Sequence, residues 1–318
     1  MGITNALTDI FSIPVRSFTD PGNRTFLLYL ATSLLIATLV QVRAARRAHR
    51  EVHPLSDVIT PQVYTHRSAL VDYIYFITNS ILYTAILAPY IAFGGYISSS
   101  LTEIFDMCAE PTAITLVSGT TITIIFSIAL ALAFDFGSFI THYILHKVPF
   151  LWEFHKVHHS AEVLTPITVY RMHPIDDILT MILSGLITGT IDAITRFFIA
   201  PGVSMYAVYG VGVLNFLFYI SGYHLRHSHV WLSYGPTLSK FLISPAQHQI
   251  HHSKARRHWD KNFGFMFAFW DWMFGSLYIP KEREPIQFGI GNNEGAEYSS
   301  VWRLYLLPFV KAYRVLTK

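Results

Sequence analysis

Eighteen consecutive residues, Thr25–Val42, carry no charge, and that run decides the medium the chain is built for. A helix over it rises about 27 Å, nearly the thickness of a bilayer hydrocarbon core. It is bracketed by Arg24 on one side and by Arg43, Arg46, Arg47 and Arg50 on the other. These four form the densest positive patch near any apolar run, so the C-terminal end of the helix is expected in the cytoplasm and the N-terminus outside. The preceding segment, MGITNALTDIFSIPVRSFTDPGNR, lacks the charged start, apolar run and cleavage site of a signal peptide. Ala6 stands where a myristoylation signal carries Ser or Thr, so the segment reads as a lead-in.

Further apolar runs follow. Tyr73–Ile97 is expected to lead outward and Thr112–Phe134 to return, with Cys108 in the outer loop between them and cytoplasm reached just before Asp135. Ile178–Tyr223 is interrupted by Asp192, Arg196 and the Pro201-Gly202 pair. It reads as a helical hairpin turning near the far side or partway across, with the two charges marking the turn. Composition agrees: 14% of residues are charged and 52% hydrophobic, against about 25% charged in a typical soluble domain. An all-α integral membrane protein with about four to five transmembrane helices is expected.

A chain this apolar nevertheless holds sixteen histidines, five of them between Thr141 and Ser160. His142 and His146 are four apart; His155, His158 and His159 stand at i, i+3 and i+4; His248, His251 and His252 repeat that spacing. On a helix such residues share a face and can reach one ion. With a membrane hairpin between them, both dense groups emerge on the same, cytoplasmic side. Eight imidazoles exceed the needs of one ion, which takes about four ligands, so the count points to two metals.

Between these groups lies YHLRHSHVW, where His227 is the favoured ligand, His224 the next and His229 a weaker candidate. His173, in RMHP, reads equally as a further ligand or as a hydrogen bonder that orients one. His258 reads as a polar neighbour, and His49, His53 and His66 as solvated side chains.

The single cysteine excludes an internal disulfide, a zinc–thiolate cluster and a Cys-X-X-Cys redox pair. A net charge of +3 without a long run of one sign gives no footing for nucleic acid. The first motif has no glutamate where a zinc protease carries one, and neither a G-x-S-x-G elbow nor a complete dinucleotide fingerprint is present. Imidazole alone does not choose among iron, zinc, copper and nickel. Two irons at a membrane surface suit oxygen activation against an unactivated C–H bond, with a lipid that stays in the bilayer as substrate. A zinc-dependent membrane hydrolase or isomerase is the alternative, and a metal transporter or sensor a more distant one.

The segments DFGSFITHYILH, WEFHKVHHSAEVLTPITVYRMHP, HSHVWLSYG, SPAQHQIHHS and DKNFGFMFAFWDWMFGSLY together resemble the fatty acid hydroxylase and sterol desaturase superfamily of membrane di-iron enzymes. The HHS followed by Glu162, the RMHP and the tail QFGI look closer to its bacterial sterol-desaturase-like and alkylglycerol-monooxygenase-like branches than to the sphingolipid fatty-acyl hydroxylases. The resemblance implies membrane helices under a cytosolic helical cap that carries an oxygen-dependent di-metal site. Carried over residue by residue, it implies ligands at His142, His146, His155, His158, His159, His227, His248, His251 and His252. His224 and His229 flank His227 where relatives usually carry other residues. Trp270 and Asp271 match the tail signature and are expected to pack against the cap and make a buried hydrogen bond.

The implied reaction is hydroxylation or desaturation of a fatty acyl, sterol-like or ether lipid, with two irons, or zinc in their place, and molecular oxygen. No cytochrome b5 module is fused to the chain, so a separate electron-transfer protein is expected as donor. The implied organisation is a lead-in with spans at 1–134, a catalytic domain at 135–280 that includes the membrane hairpin at 178–223, and a C-terminal tail at 281–318.

Overall fold

The computed structural model describes residues 12–86, 90, 92–108, 110, 119–291 and 294–317. Its main helices, in chain order, are α1 (Leu27–Arg47), α2 (Arg67–Ile86), α3 (Phe93–Cys108), α4 (Gly119–Lys147), α5 (Pro149–His159), α6 (Pro174–Phe198), α7 (Val213–Ile220), α8 (Pro245–His251), α9 (Phe269–Met273) and α10 (Val301–Leu316). Strands β1 (Ala207–Val208) and β2 (Val211–Gly212) form a small antiparallel ribbon between α6 and α7. Among the described residues, α1, α4 and α6 are long and apolar enough to cross a membrane.

Small residues set the packing of the membrane layer. A Cβ on Gly137 of α4 would lie 2.6 Å from the Ser184 backbone of α6, and one on Gly189 would collide with the Gly94 carbonyl of α3. In lipid, where burying leucine gains little, such close backbone approach is a main source of helix association. Along α3 and α6 the contacts advance together, from Gly94 against Gly185 to Ser98 donating to Asp192 at 2.6 Å and Phe105 against Phe197. The two helices therefore run parallel.

The remaining elements gather at the end where α4 finishes and α6 begins. There α5 packs against α4 and α10, and α8 against the turn at Tyr223–His227. Arg171 locks this region: its guanidinium pairs with Asp72 of α2 at 2.6 Å and donates to Ser160 and to the carbonyls of Val157 and Tyr298. Both charges are buried, and partners on every side offset the desolvation.

Several boundaries differ from those expected. The stretch Tyr73–Ile97 is not one helix; α2 and α3 divide it, with residues 87–89 and 91 outside the described residues. Cys108 ends α3 rather than lying in a loop. Residues 1–11, with Ala6, and 112–118 also lie outside the described residues. The helix that starts in the expected return run, α4, continues through Asp135 to Lys147. Asp135 tolerates full burial because the Met266 and Phe267 amides and the Trp270 indole donate to it.

The outgoing arm of the 178–223 hairpin is α6, whereas the return is the ribbon and the eight-residue α7. Asp192 and Arg196 do not mark the turn; they pair at 2.8 Å within α6. Finally, α1 packs against α7 and Tyr223–His227. Arg24, just before this helix, accepts through its carbonyl from His224 Nε2 at 2.7 Å. The start of α1 thus lies beside the histidine-bearing cap, and not on the opposite side from it.

Candidate metal centre

The histidines reach one place because three helix ends converge. His142 and His146 occupy the last two turns of α4; Pro149 at the first turn of α5 restarts the helix at once, and His155, His158 and His159 follow at its end. α8 begins at a capping box, in which Ser244 accepts from the Gln247 amide and the Gln247 side chain accepts in return from the Ser244 amide. This box sets the direction in which His248, His251 and His252 project.

Two clusters result. His142, His146, His155, His159 and His251 form the first, and His158, His227, His248 and His252 the second; in each, one ligand atom per residue lies within 4.8 Å of all the others. Each HxxHH motif serves both. In α5 the i and i+4 residues go to the first cluster and the i+3 residue to the second, and in α8 the assignment is reversed. The clusters touch where the His159 and His252 rings lie 4.7 Å apart.

The inward nitrogens fit a metal. In the first cluster Nε2 of all five rings is buried without a hydrogen-bond partner. Three of these rings are held from behind: His142 Nδ1 donates to the Phe263 carbonyl and His251 Nδ1 to the Lys261 carbonyl, each at 2.8 Å, and His155 Nδ1 to Asp176 at 3.1 Å. A proton fixed on Nδ1 leaves Nε2 a bare lone pair, as ligation requires. In the second cluster the Nε2 atoms meet at 3.1 Å between His248 and His227, 3.1 Å between His252 and His248, and 3.4 Å between His227 and His158. Metal–nitrogen bonds of about 2.0–2.1 Å place neighbouring ligand atoms about 3.0–3.4 Å apart. Here Nδ1 of His158, His227 and His248 has no partner, so these rings are less firmly held.

Burial keeps the imidazoles neutral. Desolvation alone lowers His155 to about 3. Desolvation first, and then the neighbouring imidazoles, hold His158, His159, His227, His248, His251 and His252 well below 6.5. An all-imidazole, uncharged donor set of five and four suits a borderline transition metal and not magnesium or calcium.

The other candidates fall outside both clusters. His173 caps α6: its Nδ1 accepts from the Ile175 amide and its Nε2 donates to the Tyr305 carbonyl. Both ring nitrogens are therefore used. His224 and His229 donate to the carbonyls of Arg24 and Asp57, and His258 faces Glu284. Asp271 accepts from the amides of Phe263 and Gly264 and from Ser276, which positions the carbonyl behind His142. Asp176 was not foreseen as a functional residue.

Two cavities reach the clusters. A cleft of about 340 Å³ beside His146, His159 and His251 is bordered by Lys156, Lys254, Asp260 and Glu294. A smaller cavity of about 80 Å³ touches both clusters at once, and Ser138 of α4, Thr180 of α6, Tyr223 and Phe265 line it. The fatty acid hydroxylase family profile matches residues 127–276, the stretch that contains all nine clustered histidines.

Over that stretch the chain resembles the fatty acid hydroxylase family. The chain is 27% identical over 184 residues to an alkylglycerol monooxygenase of Caenorhabditis elegans, covering 58% of this chain and 33% of that protein. Against the human alkylglycerol monooxygenase it is 30% identical over 159 residues, covering 50% and 32%. Against an ornithine lipid hydroxylase of Rhizobium tropici it is 28% identical over 156 residues, covering 49% and 43%. The chain thus spans a third to less than half of the length of these relatives. No solved structure matches it.

Proposed function

We propose that the protein is an oxygen-dependent, di-iron membrane oxidoreductase that hydroxylates or desaturates a lipid. The observation that carries this reading is the pair of neutral imidazole clusters opening on one cavity beside apolar helices. The lipid monooxygenase and hydroxylase relatives support it. The five residues of the first cluster would hold one metal and the four of the second another. The chemistry a bound pair supplies is reductive activation of dioxygen for attack on an unactivated C–H bond. In hydroxylation the substrate C–H, O2, two electrons and two protons give C–OH and water; in desaturation two adjacent C–H groups give C=C and two waters.

The chain's own contribution is orientation and exclusion of water. Asp176 and the carbonyls of Phe263 and Lys261 fix the rings, and Leu145, Val169, Phe263 and Phe265 give the cavity an apolar wall. The polar cleft is the aqueous approach to the first cluster, and a separate protein supplies the electrons. We place four passes in the membrane: α2 with α3 outward, α4 back, α6 outward, and the return through the ribbon and α7. α1 is not counted as a pass, since Arg24 before its start hydrogen-bonds His224 and the Asp57 carbonyl joins Gln41 near its end to His229 of the cap; the clusters then face the side of Arg43, Arg46, Arg47 and Arg50, the cytoplasm.

The test compares lipid extracts from cells with the wild-type protein and with His158→Ala or His251→Ala. A product gaining one oxygen or losing two hydrogens, absent in both variants and under anaerobiosis, is expected. Turnover without oxygen would overturn the reading in favour of a hydrolase or isomerase, and at most one metal per chain would overturn its two-metal form.

A further inference from the structure

Two arginine side chains in the small cavity take no part in holding the clustered histidines. Arg24, just before α1, and Arg226, beside His227, both line it together with His142, His155 and His158. Neither has a carboxylate within 4.0 Å among the described residues, whereas the buried Arg171 pairs with Asp72.

The carboxylates that act on them are occupied or distant. Asp135, whose charge reaches Arg226, is bound by two amides and an indole, and Asp177, whose charge reaches Arg24, stays beyond ion-pair distance. Arg226 is 4% exposed and spends one nitrogen on the Phe265 carbonyl at 2.6 Å. Its guanidinium carbon lies 4.7 Å from the Tyr223 ring centre and 5.5 Å from that of Phe265, and the Arg24 guanidinium approaches the same Phe265 ring at 5.7 Å. Two guanidinium groups stacked about one ring, Arg226 buried and Arg24 partly buried, neither in a direct ion pair, form a positively charged pocket. Burying such charge is costly unless an anion shares the site.

We propose that Arg24 and Arg226 form an anion subsite that grips a phosphate or carboxylate headgroup of the lipid substrate. The inference rests on the lipid-oxidising reading for the identity of the occupant, but the subsite itself is a binding property. Because Arg226 adjoins His227 in sequence and both line one cavity, the gripped headgroup holds the first carbons of the chain beside the clusters. The subsite selects anionic lipids over neutral ones.

The test uses the full-length, metal-loaded protein in nanodiscs of neutral lipid, without oxygen or reductant. Binding of dodecyl phosphate and of dodecanol is compared by titration. Dodecyl phosphate is expected to bind at least about tenfold more tightly, ~1.4 kcal/mol. Arg24→Gln, with unchanged metal content, abolishes that preference and leaves dodecanol binding as it was, and Arg24→Lys restores part of it. Arg226→Gln gives the same result if it folds; Arg24→Gln alone suffices if it does not. Equal affinity of the two probes, or equal weakening of both by Arg24→Gln, overturns the proposal. Displacement of dodecyl phosphate by equimolar inorganic phosphate overturns the lipid source and makes this a free-anion site. A failed turnover assay leaves these outcomes untouched, so the two readings fail separately.

Discussion

His155 Nδ1 lies 3.1 Å from Asp176 Oδ2, with both side chains buried, so a carboxylate at the start of a membrane helix holds one imidazole of the first cluster in place. Asp176→Asn keeps the size and exchanges the carboxyl for a weaker amide acceptor of the Nδ1 proton. Outer partners of this kind are worth about 10–100-fold in metal affinity. A loss of that order, measured by chelator competition, is expected in the first cluster, whereas His173→Ala leaves metal affinity unchanged because His173 caps α6.

The clusters differ in how firmly their rings are held, and metal release should follow that difference. Three rings of the first cluster are bound from behind, whereas three Nδ1 atoms of the second have no partner. Metal leaves the second cluster first, giving two kinetic phases under excess chelator. His227→Ala removes the fast phase and His142→Ala the slow one; a single phase in the wild type would contradict this.

Acid should weaken the metal-free fold. The folded His155 value is about 3 and the unfolded one 6.5, so between them the unfolded chain binds more protons. Stability is then fully present above about pH 6.5 and falls as pH drops toward 3. The other buried imidazoles outside the spans act in the same direction. The thermal midpoint of the apo protein should decline steadily from pH 7 to pH 5, and a flat profile would show that these rings are solvated.

Gly137 tests the membrane packing. A Cβ there would lie 2.6 Å from Ser184 of α6, so Gly137→Ala forces the two helices apart at a cost of about 1–3 kcal/mol. Gly95, whose Cβ position is open, is the control: Gly95→Ala should leave the melting temperature in detergent unchanged, while Gly137→Ala lowers it.

Much of this centre is legible from spacing, because i, i+3 and i+4 are geometric statements about a helix. The nine histidines expected to ligate are the nine that the fold brings together. Their division into five and four is not legible, since it depends on the rotation of α5 and α8 about their axes, which is set by contacts with α4, α10 and Tyr223–His227. The capping box at Ser244–Gln247 and the helix start at His173-Pro174 lie outside the expectations, which in those segments rest on histidine spacing. Asp176 gave no sign of its role: an acidic residue in the first turn of a helix is ordinarily explained by the helix dipole. Arg24 read as the flank of a span, and only the packing of α1 against the cap brings it to the cavity. The short return after α6 was hidden because an apolar ribbon and an apolar helix have the same hydropathy.

The exchange of HxxHH residues between the clusters also orders the assembly of the protein. Neither cluster can be completed from α4 and α5 alone, since each requires imidazoles from α8, and α6 with its return lies between them in the chain. In the proposed topology a nascent chain threads α6 into the bilayer and comes back before His248, His251 and His252 can join either cluster. On that reading the second metal set is completed only after insertion, whereas α4 and α5 already bring four of the first set's five imidazoles together.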